Sequence, residues 1–401
     1  MVLRIINAYK EAFSGLSREN WLLSLVMLIN RSGTMAVVFM SIYVTHILHR
    51  SIADAGLIIT LFGVGAVAGS ASGGYFTDKI GFRPVQIITS LISGILFILF
   101  GLVSSFYLLC VIAVFAGCVT DAFRPANFTA IASYSKPENL TKSYSLNRLA
   151  VNIGFGLGST IGGILAAIDY HLLFWVEGIV YITVGILIFL LLPQQKKSPL
   201  EFKPDKNELR RMSPWKDIFF LKFLFMVTVY ITCFFLVFRL LPLFWKEVQH
   251  IGEARIGFIL GLNGIIIAVF EMVMVQHLQS RKTLSFYIVA GMLLSAGGFV
   301  LLLVPGFTPM VIAFLIIILL TVGEMLTLPF INTIVVQRAN EHNRGRYAAA
   351  YALTWAVAQI IGPAGGAFIA EKSSYNVLWV VLIVVCIGAA LGVRTLFKGV
   401  G

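Results

Sequence analysis

Twelve apolar runs follow one another along this chain with only short polar links between them. They cover residues 20–48, 54–76, 86–106, 108–134, 142–168, 172–193, 218–246, 255–278, 284–304, 308–334, 345–370 and 375–396. A helix crosses the hydrocarbon of a bilayer with roughly 20 apolar residues, so each run reads as a transmembrane helix. Backbone polar groups in lipid must be satisfied within the element, which helices achieve. The pattern predicts an all-α integral membrane protein with no room for a soluble domain. Ahead of the first run, Met1–Asn20 mixes Arg4, Lys10, Glu11, Arg18 and Glu19 with apolar positions. That mixture reads as an amphipathic helix lying on the membrane, not as a cleaved leader.

The only long polar interruption is Gln194–Asp217, which carries Pro199, Pro204 and Pro214 among its charges. It divides the chain into a six-helix bundle over 1–193, a linker over 194–217 and a second six-helix bundle over 218–401. The two halves are weakly alike. A shift of about 201 residues lays Ala55-Gly56-Leu57 on Ile256-Gly257-Phe258, and Gly158…Gly162-Gly163 answers Gly362-Pro363…Gly366 in the fifth helix of each half. Internal symmetry of this kind is the mark of transporters that rock two repeats about a midplane site. Two pseudo-symmetric bundles of six helices are therefore expected.

Composition adds the solvent and the topology. Hydrophobic residues make up 59% of the chain and charged ones 12%, against about 25% charged in soluble proteins. The net charge of +12 would suit nucleic acid, but its placement argues otherwise. With the N-terminus cytoplasmic, cytoplasmic segments hold 22 of the 30 Lys and Arg, and the outer links hold four (Arg50, Lys246, Arg255 and Lys372). This is the positive-inside asymmetry, and it places both termini in the cytoplasm. Cys110, Cys118, Cys233 and Cys386 each lie in an apolar run without metal-ligand spacing, so they read as small core residues.

Between the second and third runs stands Gly74-Tyr-Phe-Thr-Asp78-Lys79-Ile-Gly81-Phe82-Arg83. It resembles the cytoplasmic signature of the major facilitator superfamily, with Phe82 where a basic residue is usual. Gly74 is expected to permit close helix contact and Gly81 to take a left-handed turn. The resemblance implies that Asp78 latches the two halves on the cytoplasmic side. The matching link of the second half, Gln279-Ser-Arg281-Lys282, lacks both the acid and the glycine. In the fifth helix, Gly154, Gly158, Gly162 and Gly163 resemble the packing motif of drug–proton antiporters, with Ser159 in place of proline. Small residues four apart let backbones pack closely. Gly323-Glu324-Met-Leu-Thr-Leu-Pro329 resembles the tenth helix of multidrug exporters, where the glutamate takes a proton.

Charges inside a membrane are costly, about 2.5–3.5 kcal/mol each at the centre on insertion scales, so each needs a reason. The spans hold Arg31, Arg124, Arg148, Arg239, Asp121, Glu177, Glu271 and Glu324. The superfamily resemblance implies that helices one, four, seven and ten line a central cavity, and these carry Arg31, Asp121 with Arg124, Arg239 and Glu324. Asp121 and Arg124 share a helix face and are candidates to pair. Arg148 reads as snorkelling and Glu177 as a packing residue. Glu324 is the first choice for proton coupling, since a carboxyl among apolar side chains costs least when neutral. Asp121 and Glu271 follow it. Asn30, Tyr43, Tyr230, Asn263 and Gln359 are candidate hydrogen-bonding groups of the cavity, with Phe234, Phe238 and Trp355 as its aromatic walls.

No Walker loop, metal-ligand cluster or nucleophile elbow occurs, so no cofactor and no catalysis are expected. The expected function is alternating-access transport, proton-coupled and outward, of amphipathic small molecules by a monomer in a bacterial inner membrane. The alternatives are an uptake symporter for a sugar, peptide or organic anion, and a lysolipid flippase. The expected partners are the substrate, protons and membrane lipid, not nucleic acid.

Overall fold

The computed structural model describes residues 14–136, 139–193, 214–278, 281–304, 308–339 and 344–398. Among them are twelve helices long and apolar enough to cross a membrane: α1 Arg18–Ile47, α2 Ile52–Ile80, α3 Phe82–Leu102, α4 Phe106–Tyr134, α5 Lys142–Ile168, α6 His171–Leu191, α7 Ile218–Glu247, α8 Glu253–Val275, α9 Leu284–Leu301, α10 Pro309–Arg338, α11 Tyr347–Lys372 and α12 Tyr375–Lys398. The chain is an integral membrane protein. Several helices run a turn beyond their apolar runs. Asp78 and Lys79 thus close α2, and Gly81 alone links it to α3. Of the expected surface helix, Arg18–Asn20 instead opens α1; residues 1–13 lie outside the described residues, as do 194–213 of the linker.

The chain forms two compact units, Met1–Val37 with Leu61–Pro199, and Val38–Thr60 with Leu200–Gly401. In the first, α3 packs on α6 and α4, while α1 packs on α5 and α6. In the second, α9 packs on α12 and α10, while α7 packs on α11 and α12. The arrangement is the same, moved on by six helices. A detail fixes the register. His49 and His250 stand 201 positions apart, and both hold positive φ, +50° and +53°, a conformation uncommon outside glycine.

Val38–Thr60, the hairpin joining α1 to α2, belongs by contacts with the second unit. Ser41 Oγ donates to the Arg239 carbonyl at 2.6 Å, the Ala53 N–H donates to Glu371, and Thr60 Oγ1 donates to the Ile360 carbonyl. Gly56 lies against the Pro363 carbonyl and Ala367 of α11, where a Cβ would collide.

Glycine faces explain the tight pairs. A Cβ on Gly65, Gly69 or Gly73 of α2 would run into the α4 backbone at Val114, Cys118 or Ala122. Gly154 and Gly158 of α5 lie against α1 between Leu28 and Ser32, and Gly362 and Gly366 of α11 lie against α7 between Thr232 and Leu240. Gly162 and Gly163 are buried in the following turn.

Each unit ties its basic end with polar groups from corresponding helices. In the first, Ser17 caps α1 and donates to the Tyr134 carbonyl at 2.7 Å, while Asn20 donates to Ser135 and Ser143. In the second, Asp217 caps α7 and accepts from Nε and one Nη of Arg338, at 2.7 and 3.0 Å, and from Tyr347 at 3.0 Å. The first knot is neutral and the second ionic.

Candidate functional site

In the first unit the charges gather where α1 breaks. Its helix stops at Gly33 and resumes at Ala36, because a Cβ-free Gly33 presses on Val180 of α6 and Thr34 leaves helical geometry, with ψ 76°. The Met35 N–H also reaches the Gly33 carbonyl at 2.8 Å, while the Ala36 N–H stands at the new helix start, where such groups lack an intrahelical partner. Both are taken by a carboxylate oxygen of fully buried Glu177, at 3.0 and 2.7 Å. Glu177 caps a discontinuous transmembrane helix, a more specific task than packing.

Arg31 lies one turn before the break, within electrostatic range of Arg124, Tyr181, Asp121 and Glu177. Its Nε is buried without a hydrogen-bond partner among the described residues. Arg124 and Asp121 form an ion pair at 2.7 Å, with the arginine largely exposed and the aspartate buried. Asn30 is buried beside Arg31.

The second unit holds a narrow pocket of about 10 Å³, room for about one water molecule, with Tyr230, Phe234 and Phe238 of α7, Asn263 of α8 and Glu324 of α10 among its walls. The Asn263 amide donates to Glu324 at 3.1 Å and to Thr321 at 3.0 Å. Opposite, Tyr230 and Ser295 share a hydrogen bond of 2.9 Å. The aromatic wall continues from Phe234 to Trp355 of α11, ring centroids 6.2 Å apart, and to Phe238 at 5.1 Å. Glu324 is thus a carboxyl in a pocket of rings and aliphatic chains, with the Asn263 amide donating to it. Glu271 is half-buried further along α8 and is not among the pocket's walls. Tyr43 is buried and Gln359 half-buried.

Residues 21–363 match the family model of the Major Facilitator Superfamily. The chain belongs to that superfamily. A Na(+), Li(+), K(+)/H(+) antiporter of Planococcus maritimus is 23% identical over 365 residues, covering 83% of this chain and 85% of that one. The quinolone resistance protein NorA of Staphylococcus aureus is 26% identical over 164 residues, 41% of this chain and 42% of NorA. Among solved structures, the nucleoside transporter NupG superposes with a TM-score of 0.81 at 12% identity, over 95% of this chain and 100% of that one. That likeness shows the fold alone.

In this superfamily member the α2–α3 motif is laid out differently from the sequence expectation. Gly74 makes no close contact, since a Cβ there would meet nothing within 4 Å. The contact face carries Gly65, Gly69 and Gly73, and Gly74 is turned about 100° away from it. Gly81 has φ +91° and ψ 160°, a glycine conformation but not the left-handed helical one. Arg83 donates to the Phe189 carbonyl at 2.6 Å and stacks on that ring, closing the last turn of α6. Asp78 and Lys79 are exposed, the lysine over the Tyr75 ring.

Ser295 and Thr321 are polar groups of the pocket region that sequence reasoning did not single out, and Cys233 and Cys386, read from sequence only as core residues, also line it. Their signal was slight: a small polar residue in an apolar run, with no way to read its rotation. Cys233 and Cys386 are buried, whereas Cys110 and Cys118 are half-exposed on α4 and so are not core residues. At Cys118 it is the backbone that meets Gly69.

Proposed function

We propose that the chain is a proton-coupled exporter of amphipathic small molecules, working by alternating access in a bacterial inner membrane with both termini cytoplasmic, and that Glu324 carries the proton. The observation that carries this reading is the Glu324 carboxyl in a pocket of Tyr230, Phe234 and Phe238, oriented by Asn263. Apolar and aromatic walls suit an amphipathic ligand, and one acid among them alters the charge of the site when it gains or loses a proton. Two relatives, a cation–proton antiporter and a quinolone resistance protein, agree with coupling and with efflux. Proton and substrate would occupy the site in alternation while the two repeats exchange access.

The test is transport of a lipophilic dye into proteoliposomes under pH gradients of both signs. Export predicts exchange against the proton gradient, and Glu324→Gln, which imitates the protonated acid, should lower the driven rate at least tenfold while dye binding survives with a flatter pH profile. A Gln variant with the normal rate and pH profile would remove Glu324 from the coupling step. A second reading has its own observation: the buried Nε of Arg31 without a hydrogen-bond partner favours an organic-anion symporter. That reading predicts the opposite dependence on the gradient.

A further inference from the structure

At the basic end of the second unit, α9 and α12 leave between them an open groove of about 450 Å³. One wall is a stripe of α9, Phe286, Val289, Ala290 and Leu293, at the spacing that keeps side chains on one helix face. The other is the last two turns of α12, with Arg394 and Lys398 four residues apart and Phe397 between them. Phe397 is anchored edge-on to Phe219 and Phe223 of α7, with centroids 5.2 and 5.9 Å away, so this wall is fixed to the bundle. Thr283 and Ser285 close the groove at the start of α9. Thr283 makes no side-chain cap there, so first-turn N–H groups of α9 face the same end.

The charge at this groove has one sign. Residues 281–304 and 375–398 contain no Asp or Glu, while Arg281, Lys282, Arg394 and Lys398 stand at their basic ends. Arg394 and Lys398 are exposed and form no ion pair among the described residues. Positive-inside topology accounts for basic residues at this end of the helices. It does not account for a largely apolar groove that two of them line.

We propose that this groove is a binding site for an anionic phospholipid of the cytoplasmic leaflet. Its phosphate lies between Arg394 and Lys398, near the hydroxyls of Thr283 and Ser285 and the positive end of α9. One acyl chain lies along Phe286, Ala290 and Leu293. Basic pockets between transmembrane helices take anionic headgroups on this physical basis, and the apolar slot supplies the affinity that a bare surface charge lacks.

The experiment uses the full chain in neutral detergent, with phosphatidylglycerol or phosphatidylcholine of matched chains, and counts bound lipid by native mass spectrometry. Phosphatidylglycerol should bind at least fivefold better. Arg394→Gln with Lys398→Gln should bring it down to the phosphatidylcholine level, whereas Lys136→Gln with Lys142→Gln should retain the preference. Ala290→Trp, which fills the slot and keeps both cations, should also lose the lipid. Equal binding of the two lipids would overturn the proposal, as would full retention by the Arg394/Lys398 variant or by Ala290→Trp. Displacement of phosphatidylglycerol by millimolar inorganic phosphate would also overturn it, by showing a site for the free anion.

Discussion

Glu177 and Glu324 are both single acids in apolar helices, yet their neighbours give them different work. Sequence alone says that each is expensive and needs a reason, and it stops there, because the reason depends on what the side chain meets. Glu324 stands in a setting that resembles exporters, so its candidacy was legible. Glu177 was not, because its partners are two backbone N–H groups 141 and 142 positions away, freed by a break in α1. The pairing of Asp121 with Arg124 lay within reach, since helical spacing places them side by side. Glu177→Ala should cost about 1–3 kcal/mol, because the Ala36 N–H loses its acceptor and the Met35 N–H keeps only the Gly33 carbonyl. Glu177→Gln keeps an acceptor oxygen and should lose less. Thermal unfolding of the purified variants measures both. An alanine variant that melts with the wild type would mean that the Ala36 N–H finds another partner.

At the scale of elements, the twelve helices were readable because hydrophobic length is the one signal lipid enforces. Their ends were less so. Asp78 and Lys79 look like loop residues by polarity but continue α2, since a helix leaving the hydrocarbon keeps its hydrogen bonds in water as well. The ionic knot was missed because Asp217 closes a polar linker and Arg338 follows an apolar run, 121 positions apart. Burial works against the charge of Asp217, but hydrogen bonds from Arg338, the Phe220 N–H and Tyr347 outweigh it and hold the carboxyl below its ordinary value of 3.8. A depressed acid stabilises the fold above its ordinary value, and that contribution fades as the pH falls below it. Asn caps a helix as well as Asp, so Asp217→Asn keeps the capping oxygen, loses only the charge, and should lower stability by no more than about 1 kcal/mol at neutral pH. The half-exposed Arg338 adds little, because solvent screens it. The difference from wild type should stay constant between pH 8 and about pH 5 and shrink below about pH 4. A difference that grows in acid would show that the knot is not held by the ionised carboxylate.

At the scale of the whole molecule, the repeat was visible in a few glycines, and in three dimensions it extends to paired helix contacts and to His49 and His250. What sequence could not supply was the allegiance of Val38–Thr60, which is contiguous with the first half but hydrogen-bonded to α7 and α11. Sidedness rests on charge. The links on the basic side carry most of the Lys and Arg, and translocating them against the positive-inside bias is disfavoured, so one orientation should dominate. The two ends of the second unit offer a direct comparison. Lys282 precedes α9 and Lys372 ends α11, and both are exposed, so neither depends on burial for its reactivity. In a background with the four native cysteines replaced, Lys372→Cys should react with an impermeant maleimide in intact cells. Lys282→Cys should react only after the membrane is opened. The reverse pattern would invert the topology, and with it the leaflet assigned to the groove beside Arg394. Equal labelling of both sites in intact cells would mean that charge does not set a single orientation for this chain.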